Sequence, residues 1–69
     1  MVDTKKFIKQ MQREGITQSM LAEELGINLS TMYKKIHNEE GEVFTVKEVN
    51  RIAILLSIPR EMLAGIFFS

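Results

Sequence analysis

The sequence predicts an all-α domain, a compact bundle of five short helices. Three observations predict it. Apolar residues recur at helical spacing along the chain, and no window alternates apolar and polar residues as a half-buried strand would. Capping residues and glycines punctuate the chain at short intervals. The length, 69 residues, suits a single domain over residues 1–69, of a size that buries only about 60% of its unfolded surface.

Asp3 or Thr4 can cap a first helix running to about Arg13, with Phe7, Ile8 and Met11 on one face and Glu14-Gly15 ending it. Thr17 is a good N-cap for a second helix, lined by Leu21, Ala22 and Leu25, because its hydroxyl can accept from an unpaired first-turn amide. Gly26 falls where that helix should stop in a left-handed backbone, which glycine adopts without steric cost. Asn28 can cap the next helix, so Gly26-Ile27-Asn28 leaves room only for a sharp turn. The third helix runs from about Leu29 to Ile36, with Met32 and Ile36 facing inward and Ser30, Thr31, Tyr33 and Lys34 outside. His37 to Val43 reads as a polar loop rich in Glu, the most mobile stretch expected, with His37 favourably placed at a helix C-terminus.

The fourth helix has the clearest start. Thr45-Val46-Lys47-Glu48 matches a capping box, in which Thr45 accepts from the Glu48 amide and the Glu48 side chain reaches back to the Thr45 amide. Phe44 and Val49 are spaced as a hydrophobic staple. Val49, Ile52, Ala53 and Leu56 continue the buried face, and Ser57-Ile58 breaks the helix. Pro59 suits the first turn of a fifth helix, where its missing N–H costs nothing. Met62, Leu63, Ile66 and Phe67 form the apolar face of that helix. Met11, Met20, Met32 and Met62 read as core filling. Phe68 cannot face the same way as Phe67; it either folds back on Phe7 and Met11 or lies in an interface between two chains. A homodimer through Ile66, Phe67 and Phe68 is the expectation, because a small domain gains much from such burial.

Composition narrows the chemistry. The chain has no cysteine and one histidine, His37, which excludes disulfides, thiolate metal sites and multi-histidine metal sites. No pair of acid and base groups stands out, so neither an enzyme nor a cofactor is expected. The most apolar stretch, Ile52 to Pro59, is too short to cross a bilayer, and no signal-peptide pattern opens the chain; a cytoplasmic protein is expected. Net charge is zero, yet the charges are segregated. Lys5, Lys6, Lys9 and Arg13 outweigh Asp3 and Glu14 at the start. Lys34 and Lys35 form a local basic pair, followed at once by Glu39, Glu40 and Glu42.

The informative stretch is Thr17 to Asn38. Ala22, four residues before Gly26, permits two helices to cross closely, and Leu21, Leu25, Ile27 and Met32 supply the contacts that hold them at a steep angle. That is the geometry of a helix-turn-helix, whose second helix projects from the body and fits the major groove of B-DNA. Gly15-Ile16-Thr17-Gln18, Leu21-Ala22-Glu23-Glu24-Leu25-Gly26-Ile27-Asn28 and Ser30-Thr31-Met32 resemble the Cro/lambda-repressor-like helix-turn-helix family over nearly the whole chain. Lys35-Ile36, Phe44-Thr45, Ile52, Ala53 and Phe67-Phe68 are similar to its small phage and prophage regulators.

The resemblance implies a lambda-repressor-like DNA-binding fold, sequence-specific operator binding, often a homodimer on a two-fold site, and neither enzymatic activity nor a cofactor. Carried onto this chain, it places Gln18 at the DNA backbone or a base. It places Asn28, Leu29, Ser30, Thr31, Tyr33 and Lys34 at base edges, and Lys35 and Asn38 at phosphates. The residue types fit. Lysine can donate to guanine O6 or N7, hydroxyls serve bases or phosphates, and Leu29 and the Thr31 methyl can pack on a thymine methyl. With no second domain for a ligand or protease signal, a stand-alone regulator is expected. The chain departs from the family at Leu29, commonly a polar base reader, at Lys35, commonly apolar, with Ile36 taking the core role one place later, and in its acidic loop. A second reading keeps the fold but makes it a protein-binding modulator acting on a partner repressor, with Leu29 exposed on the third helix.

Overall fold

The computed structural model describes residues 1–69 and is all helical. Helix α1 spans Thr4–Glu14, α2 Gln18–Leu25, α3 Leu29–Ile36 and α4 Val46–Leu55. A 3-10 turn, Arg60–Met62, then leads into a short α5, Leu63–Phe67. The fifth helix thus begins four residues after Pro59, which stands before the 3-10 turn in an extended conformation. The molecule measures 27 × 23 × 21 Å. No helix is long and apolar enough to cross a membrane.

Each of the first four helices starts on a side-chain cap. Asp3, Thr17, Asn28 and Thr45 accept from the amides of Lys6, Met20, Thr31 and Glu48. The reciprocal bond of the capping box, from the Thr45 amide to Glu48 Oε1, is 2.9 Å long. These bonds satisfy first-turn amides that a helix cannot pair internally. All four helices also close on a residue of positive φ, two of them glycines (Gly15 and Gly26) and two not (Asn38 and Ser57). In each case the amide of the following residue returns five positions along the chain: Ile16 to Met11, Ile27 to Ala22, Glu39 to Lys34 and Ile58 to Ala53. This wrap occupies carbonyls that the helix leaves open and makes the short connections possible.

The core is one cluster. Phe7, Leu21, Met32, Ile36, Ile52, Leu56 and Ile66 are its largest fully buried side chains. Each side chain of this kind contributes about 1.5–3 kcal/mol relative to exposure. Phe7, Phe44 and Phe67 form a triangle of rings with centroids 5.7–5.8 Å apart, one pair stacked and two edge-on. The triangle ties α1, the segment before α4 and α5 into one body. Buried Gln10 donates from Nε2 to the Leu56 carbonyl at 2.8 Å, fastening α1 to the end of α4. The Asp3 amide donates to the Ile66 carbonyl at 2.7 Å, so α5 docks on the start of α1.

Three expectations about apolar residues need correction. Met11 and Met32 fill the core, but Met20 and Met62 are exposed on the surface. Ile66 and Phe67 are buried within the single chain and are unavailable to an interface between copies. Phe68 does not fold back on Phe7 and Met11; it is 66% exposed and flanks a small cleft with Met1 and Val43.

Candidate nucleic-acid interface

Helices α2 and α3 pack on each other across the turn at Gly26-Ile27-Asn28. Gly26 has φ +69° and open space where a Cβ would stand, so the backbone conformation alone calls for glycine there. Helix α3 is held from below by Met32 and Ile36, four residues apart and both fully buried. Anchoring one stripe of a two-turn helix leaves the opposite stripe in water. Leu29, Ser30 and Tyr33 are exposed, with Leu29 at 49% and Tyr33 at 45%. Two rows run along this surface at the i, i+4 spacing that makes side chains neighbours: Leu29, Tyr33 and His37 in one, Ser30 and Lys34 in the other. The Tyr33 and His37 rings lie 4.1 Å apart, so Tyr33 rests on the end of its own helix.

Asn28 has a double task. Its Oδ1 accepts from the Thr31 amide and from the Ser30 hydroxyl, both at 2.9 Å. Its amide group has no such bond and stays free to donate outward. Thr31 is half-buried beside this cap, and Gln18, the first residue of α2, is half-buried as well. Most of the residues expected at a DNA surface therefore share the free face and N-terminal end of α3, with Gln18 at the start of the helix packed against it.

Two do not. Lys35 was expected at a phosphate, but it is only 8% exposed and points into the body. Its ammonium donates to the Val43 carbonyl at 2.6 Å and to Glu48 Oε1 at 3.3 Å, with Glu42 at 3.7 Å and the Phe44 ring 5.9 Å away. Its place in the sequence one before Ile36 turns it to the α4 side of the helix, where the capping-box carboxylate waits. Asn38, also expected at a phosphate, is committed to the N-terminal strap. It accepts from the Val2 amide at 2.8 Å and donates to the Val2 carbonyl at 3.0 Å. Thr4 Oγ1, donating to the Ile36 carbonyl at 2.8 Å, reinforces the same junction. A peptide-like pairing of an asparagine side chain with one distant residue leaves no signal in the sequence.

The remaining cation of the face, Lys34, is not free either. Its Nζ lies 2.7 Å from Glu40 Oε2. The hydrogen bond and then the charge of Glu40 raise the Lys34 pKa above its ordinary 10.5, with Glu42 and Glu39 adding to the same effect. Consecutive lysines thus hold the acidic loop from two sides, Lys34 by Glu40 and Lys35 by Val43 and Glu42, while Lys35 also binds Glu48 of α4. The loop follows a helix end at Asn38 and turns through two further positive-φ residues, Glu40 and Gly41. Along this turn the Glu40 carboxylate comes back beside α3.

No group of acidic or histidine side chains is arranged to hold a metal ion. Arg51 pairs with Glu24 at 3.1 Å, linking α4 to α2 on the exposed side of the bundle. Comparison with family models, characterised proteins and solved structures gives no match to this chain.

Proposed function

We propose that this chain is a sequence-specific regulator that binds double-stranded DNA, with α2, the Gly26 turn and α3 acting as a helix-turn-helix and α3 entering the major groove. The observation that carries the reading is the free stripe of α3. Asn28, Leu29, Ser30 and Tyr33, with Lys34 beside them on Glu40, offer donors, acceptors and methyl-packing surface on one side of a helix whose other side is locked by Met32 and Ile36. Base edges in the major groove are read by this mixture of side chains on a rigid helix. First-turn amides of α2 and α3 not taken by Thr17 and Asn28 add phosphate donors. The resemblance of Gly15–Met32 to the Cro/lambda-repressor-like helix-turn-helix family supports the same reading.

The test is selection from a random duplex library with the folded protein at near-physiological salt. An enriched motif supports the proposal. An inverted repeat with half-sites about 34 Å apart adds a dimer, and a single half-site indicates a monomer. Lys34→Ala should then weaken binding to the selected site by roughly 1–3 kcal/mol if Lys34 reads a guanine. No enriched motif from folded protein overturns the proposal.

A second reading, a modulator that binds a partner repressor, is favoured by a specific observation. The face of α3 carries exposed Leu29 and Tyr33 while both adjacent lysines are engaged within the chain. The selection separates the two, and salt reports how far phosphates contribute. DNA binding falls with a slope of about −0.9 per neutralised phosphate, whereas an apolar protein contact changes little.

A further inference from the structure

We infer that Glu40 is a specificity-determining residue of the proposed DNA interface: its carboxylate occupies Lys34, the one cation on the free face of α3, and so withholds from phosphates the charge that would otherwise drive sequence-independent binding. The inference rests on the DNA-binding reading and names the residue that shapes it.

The geometry is local and complete. Glu40 Oε2 stands 2.7 Å from Lys34 Nζ, closer than any other ion pair in the chain. Lys35, next in sequence, is turned inward to Glu48 and Val43 and offers no replacement charge. Glu39 and Glu42 lie in the same loop and act on Lys34 through their charge. Loop and helix are fastened together by the Glu39 amide bonding to the Lys34 carbonyl at 2.9 Å and by Lys35 gripping Val43. Glu40 is therefore held at the helix by its own backbone, including a φ of +55°.

Sequence-independent affinity for DNA comes from cations that displace counterions from phosphates. The pair is solvent-exposed and by itself worth little, so a phosphate can displace Glu40 from Lys34, but the carboxylate then stays beside the phosphate and opposes it. At a matched site, contacts from Asn28, Leu29, Ser30 and Tyr33 to base edges supply what the exchange does not. Glu40 would thus suppress binding to random sequence more than binding to the matched site, which widens the ratio between them. That ratio, not affinity alone, decides occupancy among many competing sites.

The experiment compares wild type, Glu40→Gln and Glu39→Gln on the duplex recovered by selection and on a random-sequence duplex, over a series of salt concentrations. The two variants carry the same charge change, and Glu39 is exposed and forms no ion pair, so it controls for bulk charge. Glu40→Gln is expected to raise random-duplex affinity roughly three- to tenfold, to steepen the salt slope by about one phosphate's worth (about 0.9), and to lower the ratio of matched to random binding. Glu39→Gln is expected to leave the slope unchanged. Equal effects of the two variants would overturn the inference by assigning the change to overall charge. So would wild-type binding with no response to Glu40→Gln. Absence of DNA binding by all three proteins would instead overturn the DNA-binding reading itself, and the role of Glu40 with it.

Discussion

Replacing Lys35 by methionine removes an ammonium while keeping an unbranched stem of similar length. The consequence can be worked from its partners. The ammonium donates to the Val43 carbonyl at 2.6 Å and to Glu48 at 3.3 Å, and both bonds lie in a part-buried site. A hydrogen bond to a charged group contributes about 1.5–3 kcal/mol. The third partner, Glu42, is partly exposed at 3.7 Å and adds little, as surface pairs do. Glu48 retains the Thr45 amide as a donor, so its carboxylate is not left bare, and the methionine fills the space of the lysine stem. The net loss expected is about 2 kcal/mol. For a domain of this length 1 kcal/mol moves Tm by roughly 4–8 °C, so Tm should fall by roughly 8–16 °C. Thermal and urea unfolding followed by far-ultraviolet circular dichroism would measure it. Binding of the folded variant to a selected duplex at low temperature should stay near wild type, in contrast to Lys34→Ala. Stability within about 0.5 kcal/mol of wild type, together with a loss of DNA affinity, would refute the assignment of Lys35 to the interior.

Two further perturbations test the frame around the interface. Gly26→Ala places a Cβ in open space but in a left-handed backbone, so it should cost roughly 1–2 kcal/mol through conformation alone, read as a shifted urea midpoint with an unchanged slope; a neutral result would mean that the turn relaxes to another conformation. Gln10→Ala leaves the Leu56 carbonyl without its 2.8 Å donor, and the buried unpaired acceptor should cost about 1–3 kcal/mol; a change under about 0.5 kcal/mol in denaturant unfolding would show that another group reaches that carbonyl.

Much of the frame is legible in the sequence because it rests on local chemistry. Thr17, Asn28, Thr45 with Glu48, and Gly26 announce helix ends through interactions that span a few residues, and α3 occupies Leu29–Ile36 as expected. The long-range bonds are not legible. Gln10 lies among lysines and a glutamine on a helix that is largely polar, and nothing nearby tells that it meets Leu56, 46 residues on. Asn38 looked free for a ligand because its partner, Val2, is 36 residues away. Asn38 and Ser57 also perform the left-handed closure usually signalled by glycine. For the candidate interface, which residues lie on α3 followed from spacing. Which of two adjacent lysines faces inward depended on the phase of α3, and the Val43 carbonyl and the Glu48 carboxylate, 8 and 13 residues on, receive the one that does.

That phase has a chemical consequence for any partner of α3. A helix that met DNA chiefly through charge would turn both lysines outward and follow them with neutral or basic residues. Here Lys35 is used to fix the loop to α4, and the loop returns Glu40 to Lys34. The free face is left with Leu29, Tyr33, Ser30 and the amide of Asn28, and with a cation whose charge is already balanced. Such a face gains little from long-range attraction to a polyanion, which carries no sequence information. It must rely on short-range fit, where a methyl against a methyl or a donor against an acceptor is gained only at the right base. The same property makes the surface suited to a protein groove. The discriminating observation is therefore the selected motif: a recovered motif, even with a shallow salt slope, identifies a reader that works by fit, whereas no motif from folded protein points to a protein partner.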